Sequence, residues 1–201
     1  MSEVPHRYFI IHKPYNMVSQ FVSPDKVGLL GDIDFDFPEG THAIGRLDNC
    51  SEGLLILTTN KKVTKLLFES KLPHKRKYLV QVRHQVTPES LHLLRTGVSI
   101  RIKGGGQYIT APCEAEIVEK PTGLHPRINE FDDALPNTWL LLTLTEGKYH
   151  QIRKMTDALR HRTKRLIRLS IEDLSMGDLQ PGGVREINEA SFFEQLKIEN
   201  W

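Results

Sequence analysis

The sequence predicts an α+β protein built on a mostly antiparallel mixed sheet flanked by helices. Short apolar or alternating runs rich in β-branched residues recur along the chain between turns containing Gly, Pro or Asn. Helical start signals and helical periodicity are confined to a few segments. With 39% hydrophobic and 26% charged residues over 201 positions, the chain is of ordinary globular composition, and it is long enough to bury a core without disulfides or a metal.

Arg7-Tyr8-Phe9-Ile10-Ile11 reads as the first strand, and His12-Lys13-Pro14-Tyr15-Asn16-Met17-Val18 as the turn after it. Asn16 stands where a turn asks for positive φ, and Asn is the commonest non-Gly residue to accept it. Residues 23–40, with Pro24, Gly28, Gly31, Pro38 and Gly40 among acids, form a linking loop with room for a short helix. His42-Ala43-Ile44 leads into Gly45-Arg46-Leu47-Asp48-Asn49-Cys50-Ser51-Glu52-Gly53, and Leu54 to Thr59 leads out as a buried strand. A short loop pinned by strands holds a carboxylate in a fixed place. By charge pattern alone, Asp48 and Arg46 would be a solvated ion pair of little energetic consequence.

Asn60 is placed to cap a helix through Lys61-Lys62-Val63-Thr64-Lys65-Leu66-Leu67-Phe68, with lysines on one side and apolar residues on another. Lys75-Arg76-Lys77-Tyr78-Leu79-Val80-Gln81-Val82 is a basic entry into an alternating strand, where a tyrosine commonly packs the sheet. Thr87-Pro88-Glu89 starts a helix that Gly97 ends. Val98 to Ile102, Cys113 to Val118 and Leu140 to Thr145 are strands, and Gly104-Gly105-Gly106 is a turn. Residues 119–138, containing His125-Pro126-Arg127, make a long loop, which suits either an RNA-contacting insert or a surface excursion. Glu146-Gly147-Lys148-Tyr149-His150-Gln151-Ile152-Arg153-Lys154-Met155 opens a helix, and Leu166 to Ile171, Gly177, Pro181-Gly182-Gly183 and Arg185-Glu186-Ile187 read as strand, turn and closing strand.

The net charge of +2 conceals alternating blocks. Residues 61–103 hold eleven Lys and Arg against two acids, and 148–168 hold eight against one. In residues 1–60, 104–147 and 169–201 acids outnumber bases. Brought together, the two basic blocks would make a positive groove for a phosphate backbone; left apart, they are solvated faces. Cys50 and Cys113 are too few for a disulfide framework, and neither a Cys-x-x-Cys nor a His-Glu-x-x-His pattern points to zinc. No glycine-rich phosphate-binding loop is present, so no nucleotide cofactor and no metal are expected. No apolar run reaches the ~18 residues of a membrane span, which points to the cytoplasm.

The string Gly-Arg-Leu-Asp-x-x-Ser-Glu-Gly-Leu-Leu-Ile-Leu-Thr at 45–58 resembles the active-site motif of the pseudouridine synthases, in the branch that modifies ribosomal RNA. Lys13-Pro14, the basic strand entry Arg-Lys-Tyr-Leu-Val at 76–80, close to the family's Lys-x-Tyr-x-Val and carrying Tyr78, and Glu-Gly-Lys-x-x-Gln-Ile-Arg at 146–153 resemble the other motifs in family order. The resemblance spans roughly residues 7–190, with no S4-type RNA-binding domain recognisable before Arg7. It implies one catalytic domain of two lobes about a central cleft, residues 1–60 with 148–201 and residues 61–147. It also implies isomerisation of a uridine in 23S ribosomal RNA without a cofactor, by a monomer. Asp48 would be the catalytic residue, Tyr78 would lie against the target base, Arg153 would pair with the catalytic carboxylate, and Arg46 would fill the gap left by a flipped nucleotide. Lys61, Lys62, Lys75, Arg76, Lys77, Lys148, His150, Gln151 and Lys154 are the candidates for RNA contact.

Two other classes fit parts of the sequence. A non-catalytic RNA-binding or ribosome-assembly protein would explain the basic blocks but would not require Asp48, Tyr78 and Arg153 together. An acid/base hydrolase using Asp48 with Glu52 lacks a second carboxylate motif and sits in basic surroundings that suit a polyanion. A synthase acting on another RNA is the remaining variant.

Overall fold

The computed structural model describes residues 5–69, 73–199 and 201. The chain divides into two compact units, the first comprising residues up to His74 and from Arg168, the second Lys75–Ile167. In the first unit lie β1 (Tyr8–Lys13), a one-turn 3-10 helix (Leu30–Asp32), β2 (His42–Ile44), β3 (Glu52–Thr58) and α1 (Val63–Phe68). The second contains β4 (Arg76–Arg83), α2 (Pro88–Thr96), β5 (Ser99–Arg101), β6 (Gln107–Ile109), β7 (Glu114–Val118), β8 (Asn137–Leu144) and α3 (Gln151–Ala158). Strand β9 (Thr163–Ile171) runs out of the second unit, and β10 (Leu174–Ser175), β11 (Val184–Ile187) and α4 (Glu189–Gln195) complete the first.

In the first unit β1 is antiparallel to both β3 and β11, with Ile10 opposite Ile56 and Arg185, and β2 pairs with β3. Every residue of β1 and β3 is buried, which is why both read as continuous apolar runs rather than as alternation. Phe9, Ile11, Leu55 and Leu57 pack with Met17 of the turn after β1 and with Leu30 and Ile33 of the linking loop. Tyr8 packs on Phe192 and Phe193 of α4, at ring-centroid distances of 4.5 and 5.5 Å. Its hydroxyl donates to the Glu189 carboxylate and accepts from Asn60 Nδ2 at 2.9 Å. Burial and the Glu189 carboxylate push the phenol up to about 12.

In the second unit β4, β8 and β7 form an antiparallel series, with Tyr78 opposite Leu142 and Ile117 opposite Leu140. Val80, Val82, Leu140 and Leu142 pack with Ile152 and Met155 of α3 and with Leu94 of α2. Helix α2 starts as the sequence implies: Thr87 Oγ1 accepts from Ser90 N at 3.2 Å, and Gly97 ends the helix at φ +125°.

The division falls elsewhere than at residues 60 and 148. The Phe68 ring of α1 lies over Gly45, so residues after 60 remain with the first unit. Ile152 and Met155 join the core of β4 and β8, which draws 148–167 into the second. Asn60 Oδ1 accepts from Lys62 N at 3.0 Å, but it caps a turn, and α1 begins only at Val63. Likewise α3 begins at Gln151, after His150 in the left-handed region at φ +53°. Two strands, β6 and β10, and the helix α4 were not anticipated; the first two are only three and two residues long, too short for periodicity to register. The described residues contain no helix long and apolar enough to cross a membrane.

Tyr8→Phe keeps the ring packing but leaves Asn60 Nδ2 and the Glu189 carboxylate without their shared partner. Urea unfolding should show a loss of about 1–3 kcal/mol; a midpoint equal to wild type would mean that solvent replaces the hydroxyl.

Candidate active site

In the first unit the loop between β2 and β3 is fixed almost atom by atom. Gly45, at φ +71°, enters it in a conformation that favours glycine, and a Cβ there would meet Phe68 Cζ at 2.9 Å and have to displace that ring. Leu47 is buried, and its backbone N–H and C=O both bond to Ser19 Oγ at 2.9 Å. Asn49 C=O accepts from Asn16 N at 2.9 Å, while Asn49 Nδ2 donates to Asn16 Oδ1 at 3.2 Å. Asn16 has φ +61°, the conformation its place in the turn demanded. Asp48, half-buried between these two fastened residues, accepts from Ser51 Oγ at 2.6 Å through Oδ1, and its C=O accepts from Ser51 N at 3.0 Å. The Lys13–Ser19 turn therefore holds both flanks of Asp48, and Ser51 holds the carboxylate.

Lys13 is 0% exposed, and its ammonium donates to Met17 O at 2.6 Å and Pro14 O at 2.8 Å. Burial lowers its pKa to about 8, against the pull of Asp48 and Glu52. Sequence reading treated Lys13-Pro14 as a turn, whereas in the fold Lys13 is also a buried charge whose field reaches Asp48. Arg168 contributes a second buried cation, with Nε donating to Leu54 O at 2.8 Å. Arg46 is exposed and, among the described residues, forms no ion pair, so the simple Asp48–Arg46 pair does not occur. Lys61 and Lys62 are exposed beside α1.

The second unit carries Tyr78 and Arg153. Tyr78 is half-buried on β4 and packs partly against the Val80–Leu142 core, so the packing role that a strand tyrosine commonly fills applies here as well. Arg153 is half-buried on α3 and lines a cavity of about 440 Å³ together with His150, Lys154, Asp157, Arg162 and Thr163. Lys77 and Lys148 are exposed, the latter with its ammonium 4.7 Å from the Tyr108 ring centroid. Lys75 is exposed but paired with Glu114 at 3.0 Å.

Two members of the expected RNA-contact set are turned inward. Arg76 is buried. Gln151 is buried as well; its Nε2 donates to Glu146 Oε1 at 2.7 Å, and its Oε1 accepts from Lys148 N at 2.8 Å. Glu146 is the centre of that arrangement, accepting also from the Tyr108 hydroxyl at 2.5 Å and Ala111 N at 2.9 Å. Although burial opposes it, these donors hold the carboxyl below the usual carboxylate range. The Glu-Gly-Lys-x-x-Gln string thus ties the β5–β6 hairpin to the start of α3. Nothing in the sequence signalled this for Tyr108, which lies 38 residues away from Glu146.

Ser19→Ala strips the buried Leu47 N–H and C=O of their partner and loosens one flank of Asp48. Amide hydrogen exchange in residues 46–51 should accelerate, and unfolding free energy should fall by about 1–3 kcal/mol. Unchanged exchange in the loop would show that Ser19 does not hold it.

The motif loop, its fastening turn and the Glu146 cluster can be compared with known proteins. The family model for RNA pseudouridylate synthase matches residues 7–158. The ribosomal large subunit pseudouridine synthase E of Vibrio parahaemolyticus is 36% identical over 183 residues, covering 90% of this chain and 74% of that protein. The protein of the same name from Xanthomonas axonopodis is 33% identical over 174 residues, covering 86% and 89%. A solved crystal structure of a pseudouridylate synthase superposes with a TM-score of 0.77 at 26% identity, over 98% of this chain and 76% of that one. With the family matched over most of its length and relatives this similar, the chain belongs to the RNA pseudouridylate synthases.

Proposed function

We propose that this synthase converts one specific uridine of 23S ribosomal RNA to pseudouridine in the cytoplasm, acting as a monomer with Asp48 as its catalytic carboxylate. The observation that carries the choice of RNA is the similarity, at 33–36% identity, to enzymes named for the large ribosomal subunit. What supports Asp48 is its geometry: a half-buried carboxylate at the centre of the motif, hydrogen-bonded by Ser51 and fastened on both sides.

The reaction breaks the bond from ribose C1′ to uracil N1, turns the base, and joins C1′ to C5. The C5 proton leaves and N1 gains one, so atoms and redox state balance without a cofactor. A carboxylate can divide this step in two by forming a covalent intermediate. It must be ionised to do so, and burial alone would raise its pKa. Lys13, buried within the electrostatic reach of Asp48, offsets part of that penalty, and Arg153 is assigned the bidentate, permanently charged partner role by its motif position.

Tyr78 offers a ring face to the target uracil, and Arg46, exposed and without an ion pair among the described residues, takes the place of the flipped nucleotide. Unstacking the target costs a few kcal/mol, less in a loop or bulge. Lys61, Lys62, Lys77, Lys148 and Lys154, with His150 and the Glu114-paired Lys75, remain the phosphate-facing set. Arg76 and Gln151 leave it, because their side chains are buried.

Pseudouridine mapping of ribosomal RNA from cells lacking this gene tests the assignment. One 23S site should be missing, restored by wild type and not by Asp48→Asn. The purified Asp48→Asn protein should bind the RNA as wild type does and lose more than about 1000-fold in rate. Normal turnover by this variant would remove the catalytic role, and a complete 23S map in the deletion strain would redirect the search to another RNA.

A further inference from the structure

On the second unit, three cations gather with no carboxylate paired to them among the described residues. Arg83 closes β4, and its backbone N–H donates to Arg162 O at 3.0 Å, which sets the two residues side by side. Lys164 follows two positions after Arg162 at the start of β9, on the same face of the extended chain. Its ammonium lies 4.9 Å from the Phe131 ring centroid. Lys164 is held below the ordinary lysine range first by burial and then by the charges of Arg83 and Arg162, so both guanidiniums repel its ammonium.

Several surface cations elsewhere are paired, Arg7 with Glu186, Lys75 with Glu114, Lys120 with Asp133, Arg185 with Asp178 and Lys197 with Asp173. Among the described residues no carboxylate pairs with Arg83, Arg162 or Lys164. The acids of the neighbouring loop are engaged with other groups, Glu130 with Arg165 at 3.0 Å and Asp133 with Lys120 and Gln81. Arg162 also lines the cavity shared by His150, Arg153, Lys154 and Asp157, where three permanent cations outnumber the one acid.

We propose that Arg83, Arg162 and Lys164 form a phosphate-binding track that grips the backbone of the substrate RNA. This rests on the synthase acting on a structured RNA, as proposed above, and it adds three contacts to those read from the motifs. Self-repelling cations with no carboxylate partner are relieved by a polyanion. Two guanidinium forks and an ammonium match phosphodiester oxygens in geometry and charge. Such contacts position the RNA and fix its register without reading sequence.

The test is the salt dependence of binding to an unmodified in vitro transcript of 23S rRNA. Each phosphate contact removed should lower the slope of log affinity against log salt by roughly 0.7–0.9. Arg83→Gln with Arg162→Gln and Lys164→Gln should therefore narrow the affinity ratio between about 50 and 200 mM salt by roughly 20- to 40-fold. The charge-keeping variant, Arg83→Lys with Arg162→Lys and Lys164→Arg, should retain most of the wild-type slope. Thermal unfolding checks that both remain folded, and the three single Gln variants replace the triple if it does not. An unchanged slope in the folded Gln variants overturns the track, as does an equal fall in the charge-keeping protein. Pseudouridine formed from the same transcript separates the two readings: product with an unchanged slope overturns only the track, whereas no product from wild type overturns both.

Discussion

The motif loop between β2 and β3 depends on fastenings that hold one half-buried carboxylate, Asp48, still. A loop of a few residues between two strands has little intrinsic order, and fixing its backbone costs about 1–2 kcal/mol per residue. Here the order is imposed from outside by the turn after β1. One hydroxyl, Ser19 Oγ, satisfies both backbone groups of Leu47, Asn16 satisfies Asn49, and Ser51 fixes the carboxylate of Asp48 itself. Burying Leu47 is tolerable because no polar backbone atom of that residue is left without a partner.

The same turn brings Lys13 into the interior, fully buried, with its ammonium on two carbonyl oxygens. A cation so placed is costly, as its lowered pKa records, and the cost has an electrostatic return at Asp48. Arg168 adds a second buried cation nearby, within the same unit. The acidic character of residues 1–60 is thus only partly a surface property: Asp48 and Glu52 act on an interior that holds positive charge.

In the second unit the third motif has a structural role. Glu146 gathers Tyr108, Ala111 and Gln151 and so fixes the approach to α3, the helix that carries Arg153. Arg165, 4% exposed, pins the long loop through Glu130 and the His125 carbonyl. That loop had two readings from sequence. In the fold it is anchored on β9, and Arg127 donates to Lys164 O at 2.5 Å rather than standing free at a loop tip.

The sequence by itself determined what local chemistry and period can determine. The buried strands β1 and β3 were legible as uninterrupted apolar runs, α2 as Thr-Pro-Glu closed by Gly97, and Asn16 as a residue suited to positive φ. The family, too, was legible, because 45–58 forms a long ungapped motif string, and the family match over 7–158 bears it out. Tertiary structure alone decided which side of each motif faces inward. Arg76 and Gln151 look like their exposed neighbours in sequence, but the pleat of β4 and the Glu146 cluster bury them. Ser19 and Tyr108 carry no local signal, since their partners lie 28 and 38 residues away. The convergence of Arg83, Arg162 and Lys164 is of the same kind: charge is visible along a chain, but proximity between distant segments is set by strand pairing.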